Sequence, residues 1–342
     1  MRVVVTGNLG YVGTVMTPII AAAGHEVWGL DTGYYRGCIL GDLGETGLSR
    51  QIDRDVRRVT AEDLRGADAV IHLAALSNDP TGELNPGLTS DINYEASVRI
   101  AGLCKQVGIS RYIFASSCSI YGQSDAGALT EDAEFNPQTA YARSKVDTEA
   151  AVSALADDEF SPTFMRNATA YGFSPRLRLD VVVNNLTGWA VTTNQVRLLS
   201  DGRAWRPLVH VEDMSYACAA ALAVPRERVH NEALNVGREE DNYQIRSIAE
   251  TVAEIVPNCV VTFAEGASAD NRNYNVSFSK IRRVLPEFEP RWNVRKGIEQ
   301  LYRAYTETDL NGDRFGGREF TRLKQLQHLL DTTRVNDSLY WL

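Results

Sequence analysis

The stretch of residues 2–13, RVVVTGNLGYVG, joins a β-branched apolar run to three evenly spaced glycines. The run predicts a buried strand, and the segment that follows it predicts a helix. Glycine lets a backbone turn tightly and approach a diphosphate, and the N-terminus of the following helix favours an anion. Gly7, Gly10 and Gly13 are therefore predicted to bind a dinucleotide in this strand–turn–helix context.

The second predicted strand, HEVWGLD, indicates which dinucleotide is bound. It ends at Asp31, where a carboxylate can accept hydrogen bonds from both adenosine ribose hydroxyls and would repel a 2′-phosphate. This favours NAD over NADP, although Arg36 is close enough in the sequence to weaken that preference. Further candidates for cofactor contacts, in or before the predicted strand ADAVIHLAA, are Asp55, Val56, Leu73 and Ala74.

The first half of the chain alternates short β-branched runs with helix-like segments. The predicted strands are RVVVTG, HEVWGLD, ADAVIHLAA, RYIFASS and SPTFMRN, and predicted helices connect most of them. This rhythm predicts an α/β fold with a Rossmann-type, doubly wound parallel sheet. After about Asn167 the rhythm loosens, and NEALNVG is predicted to be a strand that returns to the sheet.

The domain organisation follows from this change of rhythm. We assign residues 1–175 to an NAD-binding Rossmann domain, with returning segments near 207–240. Residues 176–342 are assigned mainly to a smaller mixed α/β substrate-binding lobe, formed by C-terminal insertions, and to a C-terminal tail. The amphipathic tail segment FTRLKQLQHLL is expected to pack onto its own domain or onto a partner subunit.

Composition argues against several classes of protein. The 342 residues carry a net charge of −9, whereas nucleic-acid surfaces are built from clustered Lys and Arg. The five cysteines form no C-x-x-C pair and have no histidine spacing suited to zinc, so reduced thiols and no metal site are expected. No signal peptide is visible and no apolar stretch is long enough to cross a bilayer, so a cytoplasmic protein is expected.

Tyr141 and Lys145 stand four residues apart in AYARSK, and on a helix they share one face. A phenol is a poor base at neutral pH, because its ordinary pKa is about 10. A nearby ammonium favours the phenolate and lowers that pKa. The pair could therefore remove a proton from a substrate hydroxyl while hydride leaves the carbon.

The motifs TGNLGYVG, HLAA, ASSCSIYG and YARSK, in this order and spacing, resemble the extended short-chain dehydrogenase/reductase family. Within that family they resemble the nucleotide-sugar epimerase/dehydratase branch. The similarity continues through MRNATAYG, VVNNLTGW, SDGRAWRPLVHVED and NEALNVG. The resemblance implies NAD as cofactor, a nucleotide-diphosphate sugar as substrate and a homodimer held by a four-helix bundle.

The resemblance also implies roles for individual residues. Ser117 would bind the reacting sugar hydroxyl, Tyr141 would be the base, and Lys145 would also hold the nicotinamide ribose. Arg206 matches an arginine that pairs with phosphate, although Pro207 follows it where an aspartate is usual. The other positions that resemble substrate contacts are Asn167, Asn185, Leu186, Asp270 and Arg272.

Such a site could catalyse an epimerase, a 4,6-dehydratase or a ketoreductase reaction. The two residues after Ser117 help to separate the dehydratase from the other two. Dehydratases of the family place carboxylic acids at these positions, where this chain has Cys118 and Ser119. A neutral thiol is a poor acid and serine has no useful pKa, so dehydration is disfavoured. Cys118 is expected to be a packing residue, as is His210.

The epimerase and the ketoreductase remain as alternatives. Asp31 favours the epimerase, which recycles bound NAD, over an NAD(P)H-dependent reductase of nucleotide-4-keto-sugars. A non-catalytic NAD-binding sensor is a further alternative from another class. Relatives of that kind typically lose the tyrosine or the lysine, and this chain has both. We therefore expect an NAD-dependent nucleotide-sugar epimerase.

Overall fold

The computed structural model shows how the β-branched runs pair, and it describes residues 1–77, 85–124, 127–268, 273–308 and 310–342. Within these ranges the strands are β1 Arg2–Thr6, β2 Glu26–Asp31, β3 Leu48–Asp53, β4 Ala69–His72, β5 Arg111–Ser117, β6 Ala128–Leu129, β7 Ser161–Asn167, β8 Thr169–Tyr171, β9 Gln195–Ser200, β10 Trp205–His210, β11 Glu232–Val236, β12 Asn242–Gln244, β13 Val260–Ser268 and β14 Asn275–Val276.

The helices in the same ranges are α1 Tyr11–Ala22, α2 Ala61–Leu64, α3 Pro86–Thr89, α4 Ala96–Gln106, α5 Ala140–Ser153, α6 Val182–Thr193, α7 Val211–Ala223, α8 Arg226–Val229, α9 Ile245–Ile255, α10 Ser279–Val284, α11 Val294–Glu307, α12 Gly312–Gly316 and α13 Arg322–Asp331. A π-helical stretch, Ser90–Glu95, leads into α4. Across these ranges no helix has both the length and the apolar character needed to cross a membrane.

Seven of the described strands form one sheet, in the order β11-β7-β5-β4-β1-β2-β3. Every neighbouring pair in this sheet is parallel. The strand order runs outward from β1 in both directions, as in a doubly wound sheet, and confirms the predicted α/β fold. Because the carboxyl ends of parallel strands meet at one edge, the residues after β1, β2, β4, β5 and β7 lie together.

The edge strand β3 has no counterpart among the predicted strands. Its sequence, LSRQID, is polar, and Ile52 is the one buried residue within it. An edge strand has a neighbour on one side alone, and here its polar side chains face solvent. The hydrophobic pattern of the sequence therefore did not indicate a strand at β3.

Alternation along β1 divides the core between the two faces of the sheet. Val3 and Val5 belong to one apolar cluster, with Met16 of α1 and Ala217 of α7. Val4 belongs to the cluster on the other face. Successive side chains of a strand point to opposite faces of the sheet. A run of three buried valines therefore requires helices on both faces.

A third apolar cluster forms the core of a smaller lobe. It contains Tyr171 of β8, Leu186 of α6, Ile248 of α9 and Ile298 of α11. The lobe is mixed, because β10 pairs in parallel with β8 and antiparallel with β12. The parallel pair of β9 with β13 completes it.

The tail packs onto the seven-stranded sheet of its own chain. Leu326 and Leu329 of α13, together with Val335 and Leu339 beyond it, are buried in the same cluster as Val4. The tail therefore covers part of one face of the Rossmann sheet.

A buried ion pair joins helix α5 to the sheet. Arg166 of β7 donates to Glu149 of α5, with Nη2 2.7 Å from Oε2, and both side chains are almost fully buried. Ser116 of β5 donates a short hydrogen bond to the same carboxylate. Arg166 also donates to the Tyr121 hydroxyl at 3.1 Å, and Tyr121 donates to Asn235 of β11 at 2.7 Å. This network holds one helix and three strands in register.

Replacing Arg166 with methionine should lower the free energy of unfolding by about 3–5 kcal/mol, because Glu149 would be left buried without its cation. Urea denaturation followed by circular dichroism measures the change. The double variant Glu149→Leu/Arg166→Met is the matched control, and it should recover much of the loss because neither charge remains. A single variant as stable as the wild type would contradict this account of the pair.

Candidate active site

A cavity of about 750 Å³ lies at the carboxyl edge of the sheet, between the sheet and the smaller lobe. Its size is within the usual range for ligand sites. The predicted residues that line it are Gly7, Gly10, Gly13, Asp31, Asp55, Val56, Leu73, Ala74, Ser117, Tyr141, Lys145, Asn167, Asn185 and Arg206. Residues far apart in the sequence thus meet in one site.

One predicted residue, Leu186, faces away from the cavity, and two others cannot be placed in it. Leu186 does not line the cavity, because its side chain is buried in the apolar cluster of the smaller lobe. Successive positions on a helix are turned by about 100°, so Asn185 faces the cavity while its neighbour packs inward. Asp270 and Arg272 lie outside the described residues.

The glycine-rich turn packs too closely for side chains. Gly7 has a φ of +75°, and a Cβ built there would lie 2.8 Å from the backbone nitrogen of Ala74. A Cβ on Gly13 would lie 2.3 Å from the Gly7 carbonyl oxygen. The turn therefore leaves its backbone exposed to the cavity beside the N-terminus of α1, an arrangement suited to a diphosphate.

Asp31 is held in place by the turns on either side of it. Its Oδ2 accepts from the Leu9 amide at 3.1 Å, and its Oδ1 accepts from the Gly33 amide at 2.6 Å. Burial raises the pKa of this carboxyl, and the two amide donors act in the opposite direction. A fixed acceptor at the end of β2 fits the predicted contact with ribose hydroxyls.

Tyr141, Lys145 and Ser117 approach the cavity from α5 and from the end of β5. The Lys145 Nζ donates to the Ala115 carbonyl oxygen at 2.7 Å and lies 5.6 Å from the centre of the Tyr141 ring. Burial lowers the pKa of Lys145 to about 7, and Glu149 acts in the opposite direction. The Ser117 Oγ accepts from the Ser119 amide at 3.2 Å.

Cys118 and His210 are packing residues in the structure, as predicted. The Cys118 thiol is buried in the core and donates to the Arg166 carbonyl oxygen at 3.1 Å. Burial raises its pKa, so the thiol stays neutral. The His210 ring stacks on Trp292 with 4.0 Å between ring centres. Neither side chain lines the cavity, whereas Ser119 does.

The carboxylates that line the cavity do not come from the segment that follows Ser117. Among the described residues that line it, the acidic side chains are Asp31, Asp55 and Asp180. The first two lie at the predicted cofactor end, and Asp180 accepts from Arg178 at 2.8 Å. No acid follows Ser117 along its own segment, which is CSIY.

Three residues on the cavity wall carry buried polar atoms without hydrogen-bond partners in the described part of the chain. These atoms are Ser119 Oγ, Asn167 Oδ1 and Arg322 Nη1. Buried polar atoms are nearly always hydrogen-bonded in folded proteins. A polar, anionic ligand such as a dinucleotide with a nucleotide sugar therefore fits this cavity.

Several lining residues were missed from the sequence. They include Tyr35, Arg178, Asp180, Tyr274 and Arg322. The segment 176–180, RLRLD, alternates charged and apolar residues, and this alternation was the available signal. Nothing local marks Arg322, because packing of the tail alone brings it to the cavity.

Comparison with known proteins places this geometry in a family. The model of the NAD dependent epimerase/dehydratase family matches residues 3–237, more than half of the chain. The UDP-glucose 4-epimerase of Corynebacterium glutamicum is 26% identical over 333 residues, which cover 92% of this chain and 98% of that protein. UDP-glucuronic acid decarboxylase 1 of Arabidopsis thaliana is 25% identical and aligns over 92% of this chain and 72% of its own length.

A solved structure agrees with these matches. MoeE5 in complex with UDP-glucuronic acid and NAD has a TM-score of 0.78 and 25% sequence identity, covering 90% of this chain and 100% of that one. The named relatives catalyse different reactions, so membership of the family leaves the reaction open. The chain belongs to the NAD dependent epimerase/dehydratase family, and NAD is its cofactor.

Proposed function

We propose that the protein is a nucleotide-sugar epimerase, which oxidises a sugar hydroxyl to a ketone and returns hydride to the opposite face. The observation that carries the proposal is that Ser117, Tyr141 and Lys145 meet in the cavity while Cys118 and Ser119 supply no acid. NAD supplies reversible hydride transfer when it is bound. The names of the relatives and of the MoeE5 complex support a UDP-sugar as substrate.

The proton would move through Tyr141. The Lys145 ammonium favours the Tyr141 phenolate, which removes the proton from the sugar hydroxyl and later returns it to the opposite epimer. Ser117 would orient that hydroxyl from the end of β5. The carbonyl of Ala115 fixes the Lys145 Nζ, so the helix and the strand end act as one rigid support.

The substrate diphosphate would lie toward the smaller lobe. Asn185 and Arg206 line the cavity from that lobe. A guanidinium suits a phosphate because its planar fork can donate to two oxygens. The contacts of Asp270 and Arg272 with the nucleotide stay a prediction, and so does the assembly into a homodimer.

A substrate screen tests the proposed reaction. The purified protein should contain NAD and should convert UDP-glucose or UDP-glucuronic acid into a mixture with its 4-epimer, without added reductant. Proton NMR of the anomeric signals measures both epimers. Turnover that requires NADH or NADPH and a 4-keto sugar would instead identify a reductase, and a deoxy-keto product would identify a dehydratase.

Tyr141→Phe should lower kcat by a factor of about 10²–10⁴, because the proton acceptor is removed while the ring stays in place. NAD content, measured after denaturing the purified variant, should match that of the wild type. Tyr302→Phe is the control, since Tyr302 is half-buried in the smaller lobe and does not line the cavity. An epimerase rate unaffected by Tyr141→Phe would rule out this residue as the base.

Lys145→Met tests whether burial lowers the pKa of Lys145, through the pH dependence of stability. The pKa of Lys145 is about 7 in the folded protein, below the value of about 10.4 for an unfolded chain. Between these values the unfolded chain binds the extra proton, so the folded state gains stability as the pH rises. Below pH 7 Lys145 is protonated in both the folded and the unfolded state. The full free-energy cost of burying its charge then lowers the stability of the folded state.

The free energy of unfolding of the NAD-free wild type, minus that of Lys145→Met, should therefore rise from pH 7 to pH 9. The slope is at most about 1.4 kcal/mol per pH unit. Urea denaturation at several pH values measures it. The matching control is Lys296→Met, because Lys296 is exposed, and its difference should be flat. A flat difference for Lys145→Met as well would show that burial does not lower the pKa of this lysine.

A further inference from the structure

Arg322 is an unusual residue on the cavity wall, because it comes from the tail. It is the first residue of α13 and is 4% exposed. Its Nη2 donates to the Arg176 carbonyl oxygen at 2.9 Å, and its guanidinium carbon lies 4.2 Å from the centre of the Tyr35 ring. Its Nη1 is buried and has no hydrogen-bond partner among the described residues.

Stability of the empty protein does not account for this arrangement. A buried cation with an unsatisfied donor is unfavourable, and a positive charge at a helix N-terminus opposes the helix dipole. Stacking on Tyr35 offsets part of this penalty. A ligand anion at the cavity wall would offset the rest, because it would accept from the free N–H group.

The surroundings of Arg322 are rich in cations. Arg178 lines the same cavity and donates to Asp180 and to the Ser77 hydroxyl. Arg176 is buried, its Nη1 donates to the Tyr35 carbonyl oxygen, and its Nε also lacks a partner in the described structure. Arg178 and Arg322 lie near the carboxylate of Asp180, and Arg176 lies near that of Asp31. The three guanidinium groups therefore outnumber the nearby carboxylates, and this part of the wall suits an anion.

The cluster of Arg176, Arg178 and Arg322 is connected by hydrogen bonds to the cofactor side of the cavity. Tyr35 follows Asp31 by four residues, and Arg176 Nη1 donates to the Tyr35 and Arg36 carbonyl oxygens. Ser174, in the same segment, donates to the carbonyl oxygen of Tyr11 at 2.8 Å, and Tyr11 begins α1 after the glycine-rich turn. The cluster is therefore tied to both segments predicted to hold the dinucleotide.

The tail beyond Arg322 is tied to the same segments. Tyr34 donates a short hydrogen bond to the Leu339 carbonyl oxygen, and Trp341 Nε1 donates to the Thr32 carbonyl oxygen at 2.7 Å. Arg57, which follows Val56 at the adenosine end, donates to the Ser338 carbonyl oxygen at 2.7 Å. The segment that carries Arg322 is thus docked along the predicted adenosine pocket.

We propose that Arg322 binds the diphosphate of the dinucleotide, so that the C-terminal tail anchors the cofactor. Its Nη1 would donate to a phosphate oxygen opposite the backbone amides of the glycine-rich turn. The same chemistry would suit the diphosphate of a nucleotide sugar, and a binding experiment can separate the two ligands. This inference concerns cofactor binding alone, so it does not depend on which reaction the enzyme catalyses.

The test measures binding to the full chain after removal of bound nucleotide. Isothermal titration with NAD⁺ and with ADP-ribose, which carries the same diphosphate, should show Kd values raised about tenfold or more in Arg322→Met. Binding of UDP to the NAD-loaded protein should change by less than about twofold. Lys324→Met is the matched control, because it removes an exposed cation from the same helix, and all three Kd values should stay at the wild-type level.

A purely structural role for Arg322 predicts a different pattern. Under our proposal the ligand-free Tm of Arg322→Met stays at or above the wild-type value, while the rise in Tm on adding NAD⁺ shrinks. Unchanged Kd values for NAD⁺ and ADP-ribose would overturn the proposal, and so would weaker binding of UDP alone. If Arg322→Met does not fold, Arg322→Lys decides in the same way, because lysine keeps the charge but loses the planar fork.

Discussion

The parallel pairing of β1 with both β2 and β4 is the constraint on which the rest of the structure depends. It places the ends of successive strands at one edge, although their residues are far apart in the sequence. Gly7, Asp31, Ala74, Ser117 and Asn167 each end or follow a strand of this sheet, and all line the cavity. The position of the site is therefore a consequence of strand direction and order.

Tyr141 and Lys145 need a second constraint, because they lie on a helix and not at a strand end. Glu149 lies one turn beyond Lys145 and is bound to Arg166 of β7 and Ser116 of β5. This contact limits both rotation and sliding of α5 against the sheet. A buried ion pair of this kind adds little to net stability, and its value here is in fixing the position of the helix.

Much of the sheet and of the cofactor site could be predicted, because local patterns encode them. The valines of β1, the glycines of the turn and the Tyr141–Lys145 spacing each lie within a few residues. The polar edge strand β3 and the inward position of Leu186 could not be predicted, since both depend on which neighbour each side chain meets. Arg322 reaches the cavity through tertiary packing alone, and no spacing in the sequence marks it.

The docking of the tail on the sheet has a consequence for how the protein is made. Residues 2–236 contain all strands of the seven-stranded sheet, and they leave the ribosome well before residues 322–341. Until the tail emerges, the apolar face that Leu326 and Leu339 cover stays bare and is open to chaperones and proteases. A chain that lacks residues 322–341 would keep that face exposed, so synthesis of this segment completes both the core and the cavity wall.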